Sequence, residues 1–80
     1  MGGDLSPGDL VVLCEGAPTC RLLWRVHPNF YVAGDDTNPA GYVYVRNASL
    51  VIAVRGTACL VLCSEHTLGW KNCEFFVRVE

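Results

Sequence analysis

Cys63-x-x-His66 followed by Cys73 gathers three soft or borderline metal ligands around one short stretch, and Cys59 shares a strand face with Cys63 and offers a fourth. Zinc takes four such ligands in a tetrahedron. The chain lacks the Cys-x-x-Cys knuckle that structural zinc sites usually contain, so no metal ligand is assigned and a zinc-stabilised domain stands as the third reading. Cys63, Glu65 and His66 also have the residue types of a nucleophile, an orienting carboxylate and a base. His66 falls in an expected exposed turn, while Cys63 is expected to point into a core, where a thiol has a raised pKa and is inert. Asp35 and Asp36 are two adjacent carboxylates without the further oxygen ligands of a calcium loop. Neither a Gly-x-Gly-x-x-Gly nor a Gly-x4-Gly-Lys-Ser/Thr loop is present. The expectation is therefore a protein that is not an enzyme, with no cofactor and no small-molecule substrate.

The elements that must position these residues are short. Ser6-Pro7-Gly8 is a turn signal, followed by a β-rich run from Asp9 to Cys14. Gly16 and Pro18 break the chain before a strand from Cys20 to Val26. Alternation there puts Leu22, Trp24 and Val26 on one face, expected inward, and Arg21, Leu23 and Arg25 on the other. His27-Pro28-Asn29 reads as a turn and Phe30–Ala33 as a short strand. Residues 34–41 form the clearest loop, with turn-forming types at nearly every position. Further strands are expected at Tyr42–Val45, Leu50–Val54 and Cys59–Cys63, the last apolar on both faces as in a buried central strand. Ser64–Gly69 closes a hairpin into Trp70, Asn72–Phe75 forms a 3₁₀ turn, and Phe76–Val79 ends the chain as a strand. The Asn47-Ala48-Ser49 sequon reads as a turn. No stretch carries apolar residues at helical spacing. Short strands punctuated this often predict an all-β domain of five or six short antiparallel strands.

Composition limits the partners. Eighty residues make one domain with little interior, yet 51% are hydrophobic and 18% charged, so part of the apolar mass must reach the surface. Contiguous apolar patches mark interfaces. The net charge is −2, and the six basic residues are scattered rather than run together, which argues against nucleic acid as the main ligand. No segment is long and apolar enough to span a bilayer as a helix. The first residues show no export signal, and five cysteines are an odd number, so reduced thiols in a cytosolic setting are expected; the expected location is the cytoplasm of the producing cell, or a virion, and in a released particle disulfide pairing stays open. Trp24, Phe30, Tyr31, Tyr42, Tyr44 and Trp70 are more large rings than a core this size holds. Tyr42 and Tyr44 share a face beside the long loop; with Tyr31 and Arg46 they are the expected protein interface.

The closing stretch from Leu60 to Val79 resembles the second half of an SH3-like barrel: a strand, a hairpin turn, the Gly69-Trp70 pair, a 3₁₀ turn, Phe75-Phe76 and a final strand ending at Val79. Ser6-Pro7-Gly8-Asp9-Leu10-Val11 is similar to the first strand of SH3-like and KOW-like modules, including small proteins of tailed bacteriophages. The resemblance implies a flexible lead-in over 1–8 and an SH3-like barrel over 9–80. Lys71-Asn72 stands where peptide-binding SH3 domains have a proline, so proline-rich ligands are not implied. The expected function is a protein-interaction or assembly module, a small viral or phage structural protein that self-associates or joins a capsid or tail. A KOW-like regulatory module contacting nucleic acid or its machinery is the second reading; it requires Arg21, Arg25, Arg46 and Arg55 to converge.

Overall fold

Ser6 to Asp9 show how local chemistry starts the fold. Pro7 presets the second position of a turn, and Gly8 takes φ +96 at the third, where a side chain would be strained. The Asp9 amide donates to the Ser6 carbonyl at 3.1 Å, and the Ser6 amide donates to the Asp9 carboxylate at 2.9 Å. The turn delivers the chain into the first strand. This computed structural model describes residues 5–14, 20–25, 27, 39–63 and 67–79. The expected strand at Phe30–Ala33 and most of the 34–41 loop lie outside them.

The described residues form seven strands: β1 (Leu10–Leu13), β2 (Cys20–Leu23), β3 (Gly41–Tyr44), β4 (Ser49–Arg55), β5 (Ala58–Leu62), β6 (Leu68–Asn72) and β7 (Phe76–Arg78). A 3₁₀ turn at Cys73–Phe75 separates the last two. The protein is all-β with antiparallel pairing, as its punctuation predicts. One sheet has five strands in the order β6-β5-β4-β1-β7, and β2 and β3 form a two-stranded ribbon. The ribbon reaches the sheet at Trp24, whose amide and carbonyl exchange hydrogen bonds of 2.9 and 2.8 Å with Trp70. Among the described residues, strand pairing does not close into a ring, and β3 and β7 are left as edges.

The core lies on one face of the sheet. Val11 and Leu13 of β1, Val51 of β4, Cys59 and Val61 of β5, and Phe76 of β7 are buried there with Leu23 and Val43 of the ribbon. Burying each large aliphatic side chain is worth about 1.5–3 kcal/mol. Leu5 joins this cluster, so the packed structure begins inside the stretch read as a flexible lead-in, and the Gly8 amide donates to the Val51 carbonyl at 2.8 Å. Two expectations change. In β2 it is Leu23, not Leu22 or Trp24, that is fully buried, because Gly69 on the neighbouring β6 leaves the room its side chain takes, while the space at Gly41, its partner across the ribbon, is filled by Thr67. In β5, Cys59 and Val61 are buried, while Leu60 is half-buried and Leu62 exposed. The strand is central in its sheet but covered on one side.

Candidate interaction surface

The opposite face of the sheet is built by register. Leu68 pairs with Leu62, Leu62 with Leu50, and Leu50 with Leu10. The Val79 amide donates to the Leu10 carbonyl at 2.8 Å, which extends the line past β7. Directly paired residues of antiparallel strands project on the same side, with Cβ atoms about 4.5–5.5 Å apart. Leu68, Leu62, Leu50, Leu10 and Val79 therefore form one apolar row across five strands. Leu10 is 50% exposed, Leu68 45%, Val79 43% and Leu62 37%. Ile52, beside the register shift between Val51 and Ala53, and Val77, opposite Val12, are also exposed.

The same register continues into the ribbon. Leu60 pairs with Trp70, Trp70 bridges to Trp24, and Leu22, two residues before Trp24, pairs with Tyr42. Tyr42 and Tyr44 are both exposed and Val43 between them is buried, as the alternation predicts. Arg46 is exposed in the turn after β3. Tyr31 lies outside the described residues. Sequence reading chose the tyrosines and missed the leucine row. Its signal was present: in β1, β5 and β7 the alternate set that does not fill the core is itself apolar, as is the part of it in β4 and β6 that joins the row.

Two polar side chains of this region, Lys71 and His27, are buried. Lys71 is only 9% exposed, and its Nζ sits 4.6 Å from the Trp24 ring centre and 5.1 Å from that of Phe75. A desolvated ammonium over aromatic faces is worth up to about 2 kcal/mol. His27, read as a turn residue, is buried: its ring meets Trp70 edge-on at 4.8 Å, and its Nε2 donates to the Arg55 carbonyl at 3.2 Å. A carbonyl only accepts, so the proton is on Nε2. Asp9 holds Arg78 at the β1–β7 edge, Nε to Oδ2 3.1 Å.

The cysteines fall into separate environments. The Cys59 thiol lies against that of Cys73; burial, then the Cys73 thiol, pushes it up to about 12. Cys63 accepts a hydrogen bond from the Ser49 hydroxyl at 3.3 Å, and burial raises it as well. The Cys14 thiol donates to the Glu74 carbonyl at 3.3 Å. Cys14, Cys59, Cys63 and Cys73 are free thiols. Thus Cys59 and Cys63, which sequence placed on one strand face, have different partners. His66 lies outside the described residues, and among the described residues no three metal-ligating side chains cluster. A cavity of about 290 Å³ beside the 3₁₀ turn is lined by Gly56, Thr57, Asn72, Cys73 and Glu74. Its cysteine neighbours a thiol held in the protonated form, the less nucleophilic state.

Of the arginines required by the nucleic-acid reading, Arg25, Arg46 and Arg55 are exposed at the ends of β2, β3 and β4; the Arg21 side chain lies outside the described residues. Among the described residues no helix is long and apolar enough to cross a membrane. Comparison with known proteins finds no match to a family model, a curated protein or a solved structure.

Proposed function

We propose that this chain is a non-enzymatic protein-interaction module of SH3-like architecture, which takes its place in a larger assembly through the outer face of its five-stranded sheet. The observation that carries this reading is the apolar row from Leu68 to Val79, which runs across the whole width of the sheet with Leu68, Leu62, Leu10 and Val79 exposed around half-buried Leu50. Solvent contact with so much contiguous apolar surface is unfavourable, and its burial against protein is the usual outcome. The SH3-like reading draws support from the closing half: β6 carries Gly69-Trp70, a 3₁₀ turn follows, and β7 begins with buried Phe76. Within this class, the resemblance of the first strand to small phage proteins favours a structural protein of a capsid or tail.

Site-specific photo-crosslinking in producing cells tests the proposal. A photoreactive residue at position 62 or 44 gives a defined adduct, while the same residue at Asn47, exposed in a turn, gives none. Recovery of the position-62 adduct in purified particles supports the structural reading. Absence of an adduct from both 62 and 44 overturns the module itself.

A further inference from the structure

The row from Leu68 to Val79 reads nearly the same in both directions. Leu50 stands at its centre on β4, Leu62 and Leu10 flank it on β5 and β1, and Leu68 on β6 and Val79 just after β7 end it. We infer that the surface covering this face is the same face of a second copy of the chain, packed about a two-fold axis through Leu50. The inference rests on the interaction-module reading and names its first partner.

Three features on this face carry it. First, an interface about a two-fold axis must complement itself. Rotation about Leu50 sets Leu10 of one copy on Leu62 of the other and Leu68 on Val79, apolar on apolar at each step. Second, the row contains no charged or hydrogen-bonding side chain that would orient a foreign partner. Interfaces that form and separate are about as polar as ordinary surface, whereas homodimer interfaces are more apolar. Among the described residues beside the row's Val79 end, Arg78 is paired with Asp9 at 3.1 Å. Third, the area approaches what is needed. Leu10, Ile52, Leu62, Leu68, Val77 and Val79 together expose on the order of 500 Å², the half-buried Leu50, Leu60 and Val12 add to it, and a stable dimer needs roughly 800 Å² from each partner. Two such faces pack as a β-sandwich with sheets about 10 Å apart.

The test is the mass in solution, by sedimentation equilibrium under reducing conditions across the micromolar range. Wild-type protein should sediment at twice 8.7 kDa. L10K alone and L62E alone each bury an unpaired charge against a leucine in a like pair, and should dissociate at least a hundredfold more readily. Mixed together they should recover the dimer, because one lysine then faces one glutamate and the other contact stays Leu62 on Leu10. Recovery also shows that both variants fold. A wild-type monomer throughout this range overturns the inference, as does a dimer that neither substitution weakens, or a mixture of monomeric variants that stays monomeric. A monomeric wild type that still yields a position-62 adduct to another protein in cells ends the dimer and leaves the module standing; no dimer and no adduct ends both.

Discussion

Trp24 and Trp70 exchange two backbone hydrogen bonds, of 2.9 and 2.8 Å, and this pair is the strand bridge that joins the ribbon to the sheet. Its neighbours are arranged to let the two backbones meet. His27 fits edge-on against Trp70, Lys71 lies over Trp24, and between the tryptophans' strands Gly69 leaves space for Leu23. The bridge sits where an ordinary side chain would hold the ribbon away.

Gly69→Ala should therefore be costly for a steric reason. Its Cβ would stand 2.6 Å from Leu23 Cβ, 3.1 Å from the Trp24 carbonyl and 3.2 Å from Ala40 Cβ, all atoms fixed close to the backbone. Overpacking of this kind costs about 1–3 kcal/mol. Gly56→Ala should cost about 1 kcal/mol for a conformational reason, since its Cβ meets nothing within 4 Å but φ is +57. Asparagine tolerates that backbone, so Gly56→Asn should recover most of the loss while Gly69→Asn should be worse than Gly69→Ala. Urea unfolding followed by tryptophan fluorescence checks all four, and equal losses at the two glycines would refute the distinction.

Lys71 should behave as a core residue that happens to carry charge. Its Nζ is held over Trp24 at 4.6 Å and Phe75 at 5.1 Å in a nearly dry site. Lys71→Met keeps the stem and removes the cation, and should cost about 1–2 kcal/mol. Lys71→Glu places a carboxylate against the negative faces of the same rings and should cost several kcal/mol more. Loss of the ammonium should also change the emission of Trp24. Equal stability of the two variants in chemical denaturation would show that the aromatic cradle contributes nothing.

How much of this was legible in the sequence follows from where the information is local. Pro7-Gly8 and Arg55-Gly56-Thr57 encode turns within a few residues, and the 3₁₀ turn and last strand sit where the closing motif puts them. Alternation placed Tyr42 and Tyr44 outside and Val43 inside. What alternation cannot say is which side of a doubly apolar strand faces the core. Leu22-Leu23 offers either choice, and Gly69 on a neighbouring strand, distant in sequence, decides it. The same ambiguity hid the leucine row: an apolar outer set in β5 reads as central burial until pairing shows that five strands present such a set together. His27 was missed because its hydrogen-bond acceptor, the Arg55 carbonyl, is a long-range partner.

Leu5 extends the core beyond the first strand, so its truncation should be felt as a core mutation. Leu5→Ala should destabilise by about 2–3 kcal/mol, the lower part of the range for buried leucines because the site is near the surface. Removal of residues 1–8 deletes the Gly8-to-Val51 hydrogen bond together with Leu5 and should cost more than Leu5→Ala, with wild type as the reference. Thermal unfolding of the three proteins decides the matter: about 4–8 °C per kcal/mol is expected for a domain of this size. An unchanged midpoint in Leu5→Ala would mean that this side chain makes no net packing contribution.

Cys59 predicts an alkaline limit to stability. Burial first, and then the adjacent Cys73 thiol through charge and through its hydrogen bond, together raise its thiol from 9.0 to about 12. Above pH 9 the unfolded chain releases this proton while the folded chain keeps it. The folded state then binds more protons, and stability falls with rising pH. The contribution is full below pH 9, declines between pH 9 and 12, and levels off beyond. Cys59→Ala should be less stable than wild type at pH 7, where it loses packed volume, yet its stability should fall less steeply between pH 9 and 11. Cys63, also raised, titrates in both proteins, so the difference between the two curves isolates Cys59. Urea midpoints measured at half-unit intervals provide the comparison. Iodoacetamide at pH 8 gives an independent reading: half-buried Cys14 should be alkylated in the native protein before Cys59, and the reverse order, or parallel stability curves, would mean that the Cys59 thiol is not held protonated by its surroundings.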